Sequence, residues 1–309
     1  MKRARLLLLV LVGNVALVGC DLAKLAADGT ADVFTRASPA LDEHFDPALV
    51  GDALPSSILT LEGLLRVVPE HEGALLGAAR GYGSYAYAYV EDEAERLEVA
   101  GDRVGAEAAR RRAVLLHRRS MELAHRYASL ALDGFDDARA EGLPAFRAWL
   151  AELDEDDAAA LFWVGFSWGQ AVNAAHPNER HADRDFALAM VRRSVALDPS
   201  VYGASGSGVL AFAATRAPGT TIEGAERAWR LALERSERKN LLLLVFMART
   251  YAVRKQDRAL YVALLREVIE AGDTSVELRL SNLVAKRRAA RYLREIERVF
   301  PRSARASAP

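Results

Sequence analysis

The chain has 309 residues, 51% of them hydrophobic and 27% charged, with 41 basic side chains against 42 acidic ones. That apolar fraction excludes disorder for most of the chain, and the balanced charge excludes the clustered positive field that nucleic-acid binding needs. Alanine supplies 58 residues and aromatic residues only 7%; alanine is the best helix former and a poor strand former, so composition predicts an all-α protein.

Residues 1–19 carry Lys2, Arg3 and Arg5, then an apolar run over 6–12 interrupted by Gly13 and Asn14. Cations ahead of an apolar core too short to span a bilayer make a secretory signal peptide. Leu17-Val18-Gly19-Cys20 resembles the bacterial lipobox. That resemblance implies cleavage before Cys20, a diacylglyceryl group on its thiol and an acyl group on the new amine, and several acyl chains anchor a protein firmly. Cys20 is the only cysteine, so the mature fold has no disulfide. Loss of Lys2, Arg3 and Arg5 leaves 38 basic against 42 acidic side chains. Residues 20–53 read as a lipidated tether with some helix, broken at Asp46-Pro47 and Gly51-Asp52.

Residues 54–300 read as helix after helix. Pro55 with Ser56 or Ser57 offers a start, and Ile58, Leu61, Leu64, Leu65 and Val68 recur at helical spacing. Pro69 to Gly73 breaks the run, and Leu75 opens a second helix that ends near Val90. The two make a hairpin of roughly 35 residues, the length of a tetratricopeptide unit. A long helix is predicted over 102–132. Phe146, Trp149 and Leu150 mark another, and the acidic cluster from Asp154 to Asp157 caps an apolar helix over 158–175. Further pairs are predicted at 182–197 with 201–216, 224–234 with 241–253, and 257–271 with 275–300. Residues 301–309 form a disordered tail. The spacing predicts stacked helix–turn–helix pairs, a degenerate tetratricopeptide-like array in which each pair buries its face against its neighbours.

No catalytic constellation emerges. Gly81-Tyr82-Gly83-Ser84-Tyr85-Ala86 has the spacing of a dinucleotide fingerprint without the preceding strand that such a loop needs, so its glycines read as close helix packing. The segment from Gly203 to Gly208 lacks a P-loop lysine and reads as a helix start that approaches another backbone. His176 and His181 flank a turn with no third ligand at metal-site spacing, and His117 and His125 read as surface or interhelical polar groups. Glu91, Asp92 and Glu93 read as the solvated end of the tyrosine-rich helix. With no Gly-x-Ser-x-Gly elbow and no His-Glu-x-x-His helix, the sequence predicts no enzyme, no metal and no cofactor.

The aromatic residues are more informative. Tyr82, Tyr85 and Tyr89 share one helix face with Tyr87 turned away, while Phe162, Trp163, Phe166 and Trp168 crowd a helix that also carries Gln170 and Asn173. Such stripes are most often core. A groove lining is the alternative, because Trp and Tyr combine a large apolar area with a polar tip. Gly165 and Gly169 leave room beside them for a close helix or a bound chain.

Leu59-Thr60-Leu61-Glu62-Gly63-Leu64-Leu65, Pro69, Ala74-Leu75-Leu76 and the run from Tyr82 to Glu91 resemble the T component of TRAP transporters, the TRAP-associated tetratricopeptide lipoproteins. The stretches from Ala160 to Gly169 and from Arg279 to Ala289 agree, so the resemblance spans about residues 54–300. It implies degenerate helical hairpins, a homotrimer, an apolar pore or groove in each protomer, and a TRAP-type periplasmic substrate-binding protein as partner. The implied task is uptake of an organic acid or hydrophobic ligand, on a lipid-anchored protein that faces the periplasm from the inner or outer membrane. On that reading Tyr85, Tyr89, Phe162, Trp163, Phe166 and Trp168 are candidate groove residues and Asn173 their polar contact; aromatic density selects them, not the resemblance. A general tetratricopeptide scaffold for envelope assembly is the alternative function.

Overall fold

The computed structural model describes residues 22–175 and 181–301. The signal peptide, Cys20, His176 and the tail beyond Pro301 lie outside the described residues. Every regular element among the described residues is helical. A helix over 22–37 (α1) buries Ala31, and one turn, α2 (Pro39–Asp42), follows it.

The next helix, α3 (Pro47–Val67), begins where the Asp46 carboxylate accepts from the Ala48 and Leu49 amides, with Pro47 at the first helical position. Pro55 therefore lies inside α3 rather than at its start, and Gly51-Asp52 does not break it. Packing outweighs the hydrogen bond lost at Pro55. Val50, Leu54, Ile58, Leu61 and Leu65 bury one stripe of the helix, against α4 (Glu72–Tyr85). The glycines of α4 act as the sequence predicts: a Cβ at Gly81 would stand 2.9 Å from Ile58 Cγ1.

The tyrosine-rich helix does not end at its acidic residues. A π-helical turn over Ala86–Glu91 carries the chain into α5 (Asp92–Ala100). Asp92 is buried and Glu91 meets the buried His117 ring at 2.7 Å, which corrects the reading of this run as a solvated end. Asp102 then caps α6 (Arg103–Ala131). This helix crosses α4 and, further on, α9 (Ala158–Ala174) on a face of Ala106, Ala109, Ala113, Ala124 and Ala128, residues small enough for close approach. Between them, α7 (Phe135–Glu141) and α8 (Leu143–Glu152) contribute Phe135 and Phe146 to a core shared with α9. Asp154 and Asp157 form a capping box at the short 3-10 turn that opens α9.

The remaining helices are α10 (His181–Leu197), α11 (Val201–Arg216), α12 (Ile222–Arg235) and α13 (Leu241–Met247). A second π-helical turn (Ala248–Ala252) leads to α14 (Arg258–Glu270), α15 (Arg279–Arg294) and α16 (Ile296–Val299). The helix expected over 275–300 is thus two elements, interrupted at Glu295. Trp229, Tyr251, Tyr261, Leu244 and Leu265 fill the C-terminal core. Finally α15 turns back and touches α2 and α3, so the two ends of the array meet.

Candidate ligand-binding region

The structure distributes the aromatic candidates over separate places. Tyr85 and Tyr89 face α3, with ring centroids 5.5 Å apart. The Tyr89 hydroxyl donates to the Pro47 carbonyl at 2.7 Å, and Gly51 makes room, since a Cβ there would lie 2.5 Å from the Tyr89 ring. Trp168 lies on another face of α9, buried beside Phe186 and edge-on to His125 at 4.4 Å. Burial, with Arg139 nearby, lowers His125 to about 4. Asn173 is exposed near the end of α9.

Phe162, Trp163 and Phe166 stay together. The Phe162 and Phe166 rings stack at 5.4 Å, and Trp163 packs edge-on against Phe162 at 5.0 Å. Three residues that sequence reasoning missed complete this cluster: Arg80 from α4, Asp42 from α2 and Tyr202 from α11. The Arg80 guanidinium lies 4.3 Å over the Trp163 ring and 5.8 Å from the Tyr202 ring, and its Nη2 donates to Asp42 Oδ2 at 2.7 Å. The Tyr202 hydroxyl reaches the same carboxylate at 3.4 Å. Arg80 and Asp42 each keep 26% of their side-chain surface exposed while Phe162 and Trp163 are buried, so the cluster is a wall open along its polar edge. Burial raises the Asp42 carboxyl although Arg80 pulls it down, and burial also pushes the Tyr202 phenol well above its usual value. Arg80 left one sequence signal, a lone cation directly after the apolar run Ala74-Leu75-Leu76-Gly77-Ala78-Ala79. Asp42 sits in the stretch read as tether and left none.

Strained backbone aims Tyr202. Tyr202, Gly203 and Ala204 have φ of 46°, 61° and 59°, a left-handed turn at the start of α11. Each non-glycine residue there costs on the order of 1–3 kcal/mol and persists only when its surroundings over-determine it. Asn240 supplies that support, donating from Nδ2 to the Gly203 carbonyl at 3.1 Å and to Ser205 Oγ at 3.0 Å.

The first π-turn carries the contact that holds the two ends together. The Tyr87 and Ala88 carbonyls accept from Arg288 and Arg287 of α15, and Arg291 pairs with Asp92 and Glu95. The Arg288 guanidinium lies 4.0 Å over the Tyr87 ring, which explains why Tyr87 turns away from the other tyrosines. This clasp fixes α4, and α4 carries Arg80. What the arrangement offers is recognition: Asp42 engages one donor of a five-donor fork that lies on an aromatic surface.

Residues 43–300 match the family model of the TRAP transporter T-component, TAtT. No curated protein matches the chain. The matched residues run from α3 to α16 and include Arg80, Phe162, Trp163, Phe166, Tyr202 and both sides of the clasp. Matched over most of its length and all-helical, the chain belongs to the TRAP transporter T-component family.

Proposed function

We propose that this chain is a lipid-anchored, periplasm-facing accessory of a TRAP-type uptake system that docks a TRAP substrate-binding protein and holds an organic acid on the Arg80 wall. Family membership supports the transporter association. The Leu17-to-Cys20 lipobox supports the anchor, with the segment after Cys20 linking it to the helical body; the family likeness supports tetratricopeptide-like hairpins and a homotrimer. The ligand half rests on one observation: Arg80 lies over Trp163 with a single carboxylate partner and a quarter of its surface open. A ligand carboxylate joins Asp42 on the fork, and its apolar part lies on Trp163 and Phe166. Tyr85, Tyr89, Trp168 and Asn173 lie outside this wall.

Capture of a TRAP-type substrate-binding protein by the full chain tests the partner half. Arg80→Ala tests the ligand half: organic-acid binding should fall while the helical signal stays. Unchanged acid binding in a folded Arg80→Ala protein would reduce the wall to core packing.

A further inference from the structure

A second opening lies between α10, α11 and α12, and it shares no residue with the Arg80 wall. Its volume is about 430 Å³. Alanines of α11, Ala214 among them, form the floor, with Leu188 of α10 and Leu231 of α12 beside them. Leu231 is 44% exposed, a large apolar side chain left at the rim. Two cations complete the lining, Arg192 from α10 and Arg235 from α12. Arg235 donates from Nη1 to the buried Ser207 Oγ at 3.0 Å, which tethers its guanidinium to the cavity.

The lining is one-sided in two respects. None of its residues is acidic, so both arginines lack a counter-charge within it, and none is aromatic, so no flat ring finds a stacking partner there. An alanine floor presents a methyl-lined surface on which a slim, flexible chain can lie. Apolar surface with uncompensated guanidinium groups is complementary to an aliphatic anion.

We propose that this cavity binds an aliphatic monocarboxylate of medium chain length, its chain on the alanine floor and its carboxylate paired with Arg192 and Arg235. This goes beyond the proposed function, because it needs neither the substrate-binding protein nor the Arg80 wall.

Calorimetric titration of decanoate into the full chain, carrying Cys20→Ser so that no acyl anchor competes and Arg80→Ala so that the Arg80 wall takes up no acid, tests it. Decanoate should bind saturably at one site per protomer, and decylamine should not. Each methylene removed from the acid should weaken binding about threefold to fourfold. Arg192→Gln combined with Arg235→Gln should weaken decanoate at least about tenfold. Ala214→Phe, which fills the floor, should abolish binding with an unchanged helical signal. Equal binding of decanoate and decylamine, or decanoate binding that ignores both variants, would overturn the proposal. So would an absence of saturable decanoate binding; if the Arg192→Gln, Arg235→Gln protein then also fails to capture the substrate-binding protein, the cavity is a protein-docking surface. Loss of that capture in the unsubstituted chain, with decanoate still bound, would instead remove the partner reading and leave the cavity intact.

Discussion

The Arg291 guanidinium pairs with the Asp92 carboxylate across 199 positions of sequence, and both side chains are buried. Arg288, equally buried, approaches the same carboxylate at 3.7 Å and stacks on Tyr87. Neither charge has water to replace its partner, so the contact that joins the two ends of the helical array is also one the fold cannot lose cheaply.

Removal of one side of that pair therefore costs more than an exposed ion pair would. Asp92→Ala should lower unfolding stability by about 1–3 kcal/mol, because it leaves Glu95 as the one carboxylate beside the buried Arg288 and Arg291 guanidinium groups. A urea titration checks this, and a midpoint like that of the unsubstituted chain would contradict it.

Two glycines separate close packing from helix propensity. At Gly165 an added Cβ would stand 2.9 Å from the Ala187 carbonyl oxygen and from Met190 Cβ, so Gly165→Ala should destabilise by about 1–3 kcal/mol. At Gly63, inside α3, a Cβ meets nothing within 4 Å, so Gly63→Ala should stabilise by about 0.5–1 kcal/mol. Thermal melts of the two variants should move in opposite directions.

Trp168 is 1% exposed and packs with Phe186 and His125. Trp168→Ala should cost about 3–5 kcal/mol of stability, while ligand affinity measured well below the melting temperature stays unchanged. A groove role for Trp168 requires the reverse, lost affinity with an unshifted melt.

His125 gives the fold a pH dependence of known sign. Its folded value of about 4 lies below the ordinary 6.5, so the unfolded chain takes up a proton that the folded chain refuses. The associated stability, up to ~3 kcal/mol, is complete above about pH 6.5 and is lost as the pH falls to about 4. Urea midpoints at pH 7.5 and 4.5 should therefore lie closer together in His125→Gln than in the unsubstituted chain. Equal spacing in the two proteins would refute the assignment.

Much of the architecture was legible in the sequence. Asp102 and the acidic run at Asp154 mark helix starts by capping chemistry, and the structure places caps at both. Gly81 and Gly83 read as close-packing residues because no strand precedes them, and α3 and α6 lie against them. Other features depend on partners far away in sequence. Pro55 looks like a helix start until Asp46-Pro47 is seen to cap α3 earlier, and the α4 interface to carry the helix through. Asp92 looks solvated because its cations lie some 200 residues away on α15. The π-turns have no local pattern of their own. Phe162, Trp163 and Phe166 are visible as an aromatic stripe, but their polar partners Arg80, Asp42 and Tyr202 come from three other helices, one aimed by a left-handed turn that propensity disfavours.

In the proposed function the chain docks a TRAP-type substrate-binding protein. Calorimetric titration of the TRAP substrate-binding protein from the same genome into the full, folded chain tests that claim most directly. It should give a saturable heat with one binding protein per protomer. No heat, and no co-elution of the two folded proteins on a sizing column, would contradict it.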